Sequence, residues 1–140
     1  MSLLVDHLGT YLEDQGVGTV AAASGWGIYR LERPDSPVTV ISLHEEPGFP
    51  PDPYLSTERP IVDIIVRGSS EREAAEKCRE IFRLLHGKQN VRLGSVGSGV
   101  DAFTIDAMNS PHPIGEEQVG AVRAHLYRFN AAFHLRELVA

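Results

Sequence analysis

The sequence is poor in the residues that cross-link small proteins or anchor them in membranes. Only one of its 140 residues is cysteine, Cys78, which excludes an internal disulfide and a zinc site built from four cysteines. No apolar run approaches the roughly 20 residues that a membrane-spanning helix needs. The segment that begins at Met1 has neither a basic flank nor a small-residue cleavage site. These absences predict a protein that is made in the cytoplasm, stays unprocessed and works in a reducing compartment.

Positive charge is also sparse. Thirteen Lys and Arg against nineteen Asp and Glu give a net charge of −6, and no cluster of Lys and Arg is longer than two residues. Phosphate binding needs a basic stripe, so the composition excludes a protein built to grip nucleic acid. With 42% apolar and 23% charged residues, the chain is predicted to fold as one soluble domain over residues 1–140.

Apolar spacing and turn residues predict two helices and several strands. The first helix lies within residues 2–15 and ends before Gly16. The second, over residues 71–85, has a capping box formed by Ser70 and Glu73, and its apolar stripe makes Cys78 a core residue. Strands are predicted from residues 28, 38, 60, 90 and 101, the last with Phe103, Ile105 and Ala107 on one face.

Residues 109–138 fit two structures. Val122, Leu126, Phe129 and Phe133 have helical spacing, whereas the alternation from residue 127 to 135 fits a strand. Gly120 and the two prolines before it favour a turn that leads into a strand over residues 122–137, about 50 Å long at about 3.3 Å per residue. The order of elements then predicts an α+β domain, a mostly antiparallel β-sheet with two helices packed on one face.

No pattern predicts catalysis, a cofactor or a metal site. The six histidines lack the paired spacing of metal ligands; His44, placed at the end of a strand, has no second histidine at helical distance. The glycine-rich stretch at residues 94–99 has no lysine after it and is predicted to be a turn. Asp63, which faces away from Val62 and Ile64, is predicted to be a paired or rim carboxylate. A hydrolase that uses Asp63 and a distant histidine is the enzymatic alternative.

The segment at residues 45–60 is the strongest candidate for function. Five prolines in its sequence EEPGFPPDPYLSTERP predict an extended loop. Phe49 and Tyr54, flanked by prolines, would form a preordered apolar surface that loses little entropy on docking. A binding loop is therefore expected, with a solvated connector as the alternative.

In order and spacing, these pieces resemble the minor capsid and tail terminator proteins of long-tailed bacteriophages. A strand that ends at Arg67 leads into a helix with several glutamates, and a proline-rich turn leads into an aromatic terminal strand. The residues that carry the second likeness are Pro111, Pro113, Gly115, Glu116, Phe129, Asn130 and Phe133.

The resemblance implies a structural virion protein without enzymatic activity. Such a protein forms a homo-oligomeric ring, typically a hexamer, on the last ring of the tail tube, where it stops tube growth and presents a surface for head–tail joining. Its partners would be copies of itself, the major tail tube protein and the head–tail connector protein. It would lie at the head-proximal end of the tail and in the host cytoplasm before assembly.

DNA would pass through the lumen without specific binding, because acidic side chains there, such as Glu45, Glu46 and Asp52, would repel phosphate. A phage head-closure or neck protein, and a small non-phage adaptor whose proline-rich loop holds a peptide, remain alternatives. The predicted interface residues are Glu45, Glu46, Phe49, Pro51, Asp52, Tyr54, Pro111, Ile114, Glu116 and Arg128.

Overall fold

The computed structural model describes residues 4–22, 24–34, 37–49, 57–94 and 99–136. The elements are α1 (Leu4–Asp14), β1 (Thr19–Val20), β2 (Gly27–Arg30), β3 (Val40–Phe49), β4 (Thr57–Gly68), α2 (Glu71–Leu85), β5 (Lys88–Leu93), β6 (Val100–Ala107), β7 (His112–Val119) and β8 (Val122–Arg136). Neither helix in these ranges is long and apolar enough to cross a membrane.

The strands form one sheet in the order β1-β2-β3-β4-β8-β6-β5. The pairs β1/β2 and β2/β3 are parallel, and the other pairs are antiparallel. β8 is the central strand. It pairs with β4 along one side, and along its other side with β7 at residues 122–128 and with β6 at residues 131–135. This architecture confirms the predicted α+β fold and the predicted terminal strand.

Both helices pack on the same face of the sheet. Leu43, Ile64 and Phe129 are register partners on adjacent strands, so their side chains point to one side. Phe82 of α2 meets Phe129 edge to face with ring centroids 5.6 Å apart, and Gly9 of α1 lies against Leu43. All three strand residues belong to one core with the buried side chains of α1 and α2, which confirms the predicted layering.

The start of α2 follows from its sequence. Ser70 Oγ accepts a hydrogen bond from the Glu73 amide at 3.1 Å, and Glu73 Oε1 accepts one from the Ser69 amide at 2.9 Å. These contacts satisfy amides that the first helical turn leaves without partners. Cys78 is buried in the core as predicted.

The predicted loop at residues 45–60 is instead largely sheet. Glu45, Glu46 and Phe49 lie in β3, and residues 57–60 lie in β4, so that only residues 50–56 fall outside the described part of the chain. The strands continue because β8 extends far enough to pair with the start of β4, with Thr57 opposite Arg136. A register shift between Glu46 and Phe49 accommodates the residues Pro47 and Gly48.

Two further strand predictions were wrong. Residues 112–119, expected to be a turn, form β7, because a register shift between Pro113 and Gly115 fits the irregular residues into the pairing with β8. Phe103 does not share the core face with Ile105. A register shift between Ala102 and Thr104 turns Phe103 to the opposite face, where it contacts His134 and Arg136.

Candidate functional site

The sheet face opposite the helices is partly covered by the chain itself. Because β2 and β3 are parallel, the connection between them must cross over the sheet. Arg67 of β4, which is fully buried, binds this connection. Its Nε donates to the Val38 carbonyl at 2.9 Å, and its Nη2 donates to the carbonyls of Pro37, at 2.9 Å, and Pro34. Arg67 therefore has a structural role.

Glu117 of β7 ties the same connection to the β7–β8 hairpin. Its Oε1 accepts from Arg67 Nη1 at 3.0 Å, and its Oε2 accepts from Arg33 Nε at 3.2 Å. One carboxylate thus bridges a guanidinium inside the protein and one near its surface. This part of the open face is occupied by intramolecular contacts.

The rest of the open face carries a row of polar side chains across β3, β4 and β8. Asp63, only 6% exposed, accepts hydrogen bonds from Arg128 Nε at 2.7 Å and Asn130 Nδ2 at 3.3 Å. Arg128 Nη2 also lies 3.6 Å from Glu46 Oε1. The prediction that Asp63 is a paired or rim carboxylate is confirmed, since it is paired, and the structure brings together two predicted interface residues, Glu46 and Arg128.

His44 lies in the same row, in the middle of β3 and not at the end of a strand as the sequence suggested. Its Nε2 is 2.5 Å from Ser42 Oγ. Burial lowers the pKa of His44, and the nearby Asp63 carboxylate opposes that shift. Below this lowered pKa the imidazolium adds positive charge beside Asp63.

Cys78 lies on α2 in the buried core, on the helix side of the sheet and away from this open face. Burial raises the pKa of the Cys78 thiol to about 12, so the thiolate nucleophile is absent at neutral pH. Among the described residues, no group of three or more His, Cys, Asp or Glu side chains is placed to hold a metal ion. The described polar groups of this face form hydrogen bonds and ion pairs with one another.

The other predicted interface residues that the structure describes lie in separate places. Glu45 is exposed on the opposite side of β3 from Glu46. On β7, Ile114 is 38% exposed, and Glu116 pairs with Arg123 beside a groove of about 490 Å³ between α2 and the β7–β8 hairpin. Pro111 is buried within the chain, Phe49 ends β3, and Pro51, Asp52 and Tyr54 lie outside the described residues.

The sheet has open edges that the sequence did not predict. β2 pairs with β3 only as far as Leu43, so within the described residues no strand lies outside His44–Phe49, here called the acidic edge. β5 ends the sheet on the other side and is here called the basic edge. β7 has an open edge too, but Pro113 and the bulge before Gly115 interrupt it. Edges could be found only from the pairing, which local periodicity does not reveal.

Comparison of the sequence with protein families identifies the family of the chain. The family model for the bacteriophage tail terminator protein matches residues 11–108, from within α1 to the end of β6. The chain belongs to the bacteriophage tail terminator family. The predicted resemblance is thereby confirmed for tail terminators, which are structural proteins of the virion tail. No curated protein shows significant sequence similarity to the chain.

Proposed function

We propose that this tail terminator closes into a ring on the last ring of the tail tube, blocks addition of further tube subunits and offers its free side to the head-side connector. The observation that supports a ring is the presence of two different open edges on opposite sides of one sheet. A ring is a heterologous assembly, so each protomer needs two unlike patches that complement each other. The acidic and basic edges meet that requirement.

The long strands favour contacts beyond the protomer's own core. β8 has 15 residues, about 50 Å at about 3.3 Å per residue, and β4 has 12. The side chains described between Leu43 and Val62, at residues 44–46 and 59–61, include no buried hydrophobic one. The described core does not extend into this part of the sheet, and we propose that the tube protein binds there, through the predicted interface residues Phe49, Pro51 and Tyr54, which lie between these positions in the sequence. In this proposal the major tail tube protein and the connector bind opposite sides of the ring, and DNA passes through its lumen.

Tail length tests this function directly. In lysates of the phage or prophage that encodes the protein, deletion of the gene should give tubes of irregular, excessive length in electron micrographs. Added purified protein should cap tube ends and restore joining to heads. A variant that lacks residues 48–53 should fold, by circular dichroism, but fail to restore joining. Tails of normal length without the gene would contradict the proposal, and recovery of the protein with heads instead of tails would favour a neck protein.

A further inference from the structure

Charge is segregated along the chain far more than its composition suggests. Residues 45–58 contain four Asp or Glu and no Lys or Arg, a net charge of −4. Residues 77–92 contain five Lys or Arg and one Glu, a net charge of +4. Two segments of opposite sign therefore stand out in a protein whose overall charge is −6.

The fold places part of each segment on an edge strand of the sheet, with Glu45 and Glu46 on β3 and with Lys88 and Arg92 on β5, at opposite sides. Glu46 of β3 is in register with Ile61 of β4, which faces Ala132 of β8, and Ala132 faces Asp106 of β6. In the next row, Lys88 of β5 is in register with Ile105 of β6. Five strands span this region, so its acidic and basic edges lie about 19 Å apart along the sheet, at about 4.8 Å per strand.

The charges at both edges are accessible. Glu45 is exposed, and the side chain of Glu46 is 40% exposed and only loosely paired with Arg128. On the basic edge, Lys88 is exposed and forms no salt bridge within the described residues. Arg92 pairs with Asp101 in an ion pair whose side chains are about half exposed. Exposed pairs of this kind are weak and can exchange partners.

We propose that the acidic edge of one protomer, through Glu45 and Glu46, docks on the basic edge of a second copy, through Lys88 and Arg92. This inference rests on the proposed ring and names its subunit contact. Each copy donates one edge and receives the other, which gives the head-to-tail arrangement that a ring requires. Like edges repel, so the same charges disfavour a symmetric dimer built from two acidic or two basic edges.

Side chains, more than a continuous backbone ladder, carry this contact. Asn90 has a positive φ of 53°, and the pairing of β5 with β6 omits it. This kink breaks the row of edge amides and carbonyls that a new strand would need. From the sequence, Glu45 and Glu46 were expected to line the DNA lumen. The oppositely charged edge on the same sheet instead favours a neighbouring protomer as their partner.

Charge reversal with rescue tests the contact. Glu45→Lys with Glu46→Lys makes both edges basic, and Lys88→Glu with Arg92→Glu makes both acidic. In sedimentation velocity at low salt, each double variant should require at least a tenfold higher concentration to associate than the natural protein. An equimolar mixture of the two should assemble again, with alternating subunits, and the fourfold variant should assemble alone.

A matched control changes the same amount of charge elsewhere. Asp14 and Glu76 are exposed and lie on α1 and α2, on neither edge strand. Asp14→Lys with Glu76→Lys should assemble normally, and circular dichroism should show that all variants fold. Normal assembly of either edge variant, failure of the mixture to assemble, or a monomeric natural protein at every concentration would overturn the contact.

The tail-length assay separates this contact from the proposed function. If edge variants still form rings and still limit tail length, the proposed contact is wrong and the proposed function stands. If the natural protein neither assembles nor limits tail length, both the proposed contact and the proposed function are wrong.

Discussion

Arg67 and its partners lie far apart in the sequence, and all of them meet under the connection between β2 and β3. The guanidinium donates to three backbone carbonyls and to the carboxylate of Glu117. Arg67→Met keeps an unbranched side chain but leaves these acceptors without donors. We expect the free energy of unfolding, measured by urea titration, to fall by about 3–5 kcal/mol, as for a buried ion pair that loses one partner.

Arg72→Ala is the control for this substitution, because the Arg72 side chain is 88% exposed and, among the described residues, pairs with Glu76 alone. Its effect should stay within about 0.5 kcal/mol. If Arg67→Met were as stable as Arg72→Ala, the crossover connection would be held by other contacts.

Single residues also show how far sequence reasoning extends. The alternation of side chains along a strand puts Asp63 on the other face of the sheet from Val62 and Ile64. Because a buried carboxylate needs a partner, the pairing of Asp63 could be predicted. The identity of the partners, Arg128 and Asn130, could not, because it depends on the register between β4 and β8. The burial of Arg67 depends on a parallel crossover from β2 to β3, and no local pattern encodes that topology.

At the scale of elements, α2 and β8 were predictable because each carries a strong local signal. The capping box marks the start of α2, and the alternation from Tyr127 to Leu135 marks β8. β7 and the extension of β3 were not predictable, since prolines and glycines there indicate turns. Register shifts at Pro113/Gly115 and Glu46/Phe49 allow those residues to lie within strands. Pairing of β7 with β8 and of β3 with β4 stabilises these strands.

Gly68 joins β4 to α2 and holds the two elements close together. A Cβ atom at this position would lie 2.8 Å from the backbone nitrogen of Ala74, so Gly68→Ala must push the helix away from the sheet. We expect the free energy of unfolding to fall by about 1–3 kcal/mol, the usual cost of overpacking. Thermal or urea unfolding of the purified variant measures it.

Gly9→Ala is a matched substitution with the opposite expected sign. A Cβ at Gly9 would make ordinary contacts, the closest at 3.6 Å to Ile28, and alanine stabilises a helix interior by about 0.5–1 kcal/mol relative to glycine. Equal destabilisation by both changes would show that the close packing at Gly68 does not set the effect.

At the scale of the whole molecule, open strand edges are a risk of uncontrolled pairing, and proteins commonly protect them with charge or kinks. Here the β3 edge is acidic, the β5 edge is basic and kinked at Asn90, and the β7 edge is interrupted by Pro113. Like charges prevent identical edges from meeting, while unlike charges permit one orientation. The same distribution therefore limits aggregation and selects the head-to-tail arrangement of the proposed ring.

Assembly through opposite charges must weaken as salt screens them. The Debye length falls from about 10 Å at 0.1 M salt to about 3 Å at 1 M. The concentration for half-maximal assembly, measured by light scattering, should therefore rise by about tenfold over this range, about 1.4 kcal/mol per contact, and the charge-reversed mixture should show the same dependence. A ring held mainly by apolar contacts would respond in the opposite sense in sulfate, which strengthens apolar burial. Assembly that does not weaken as the salt concentration rises from 0.1 M to 1 M would contradict a contact made by Glu45, Glu46, Lys88 and Arg92.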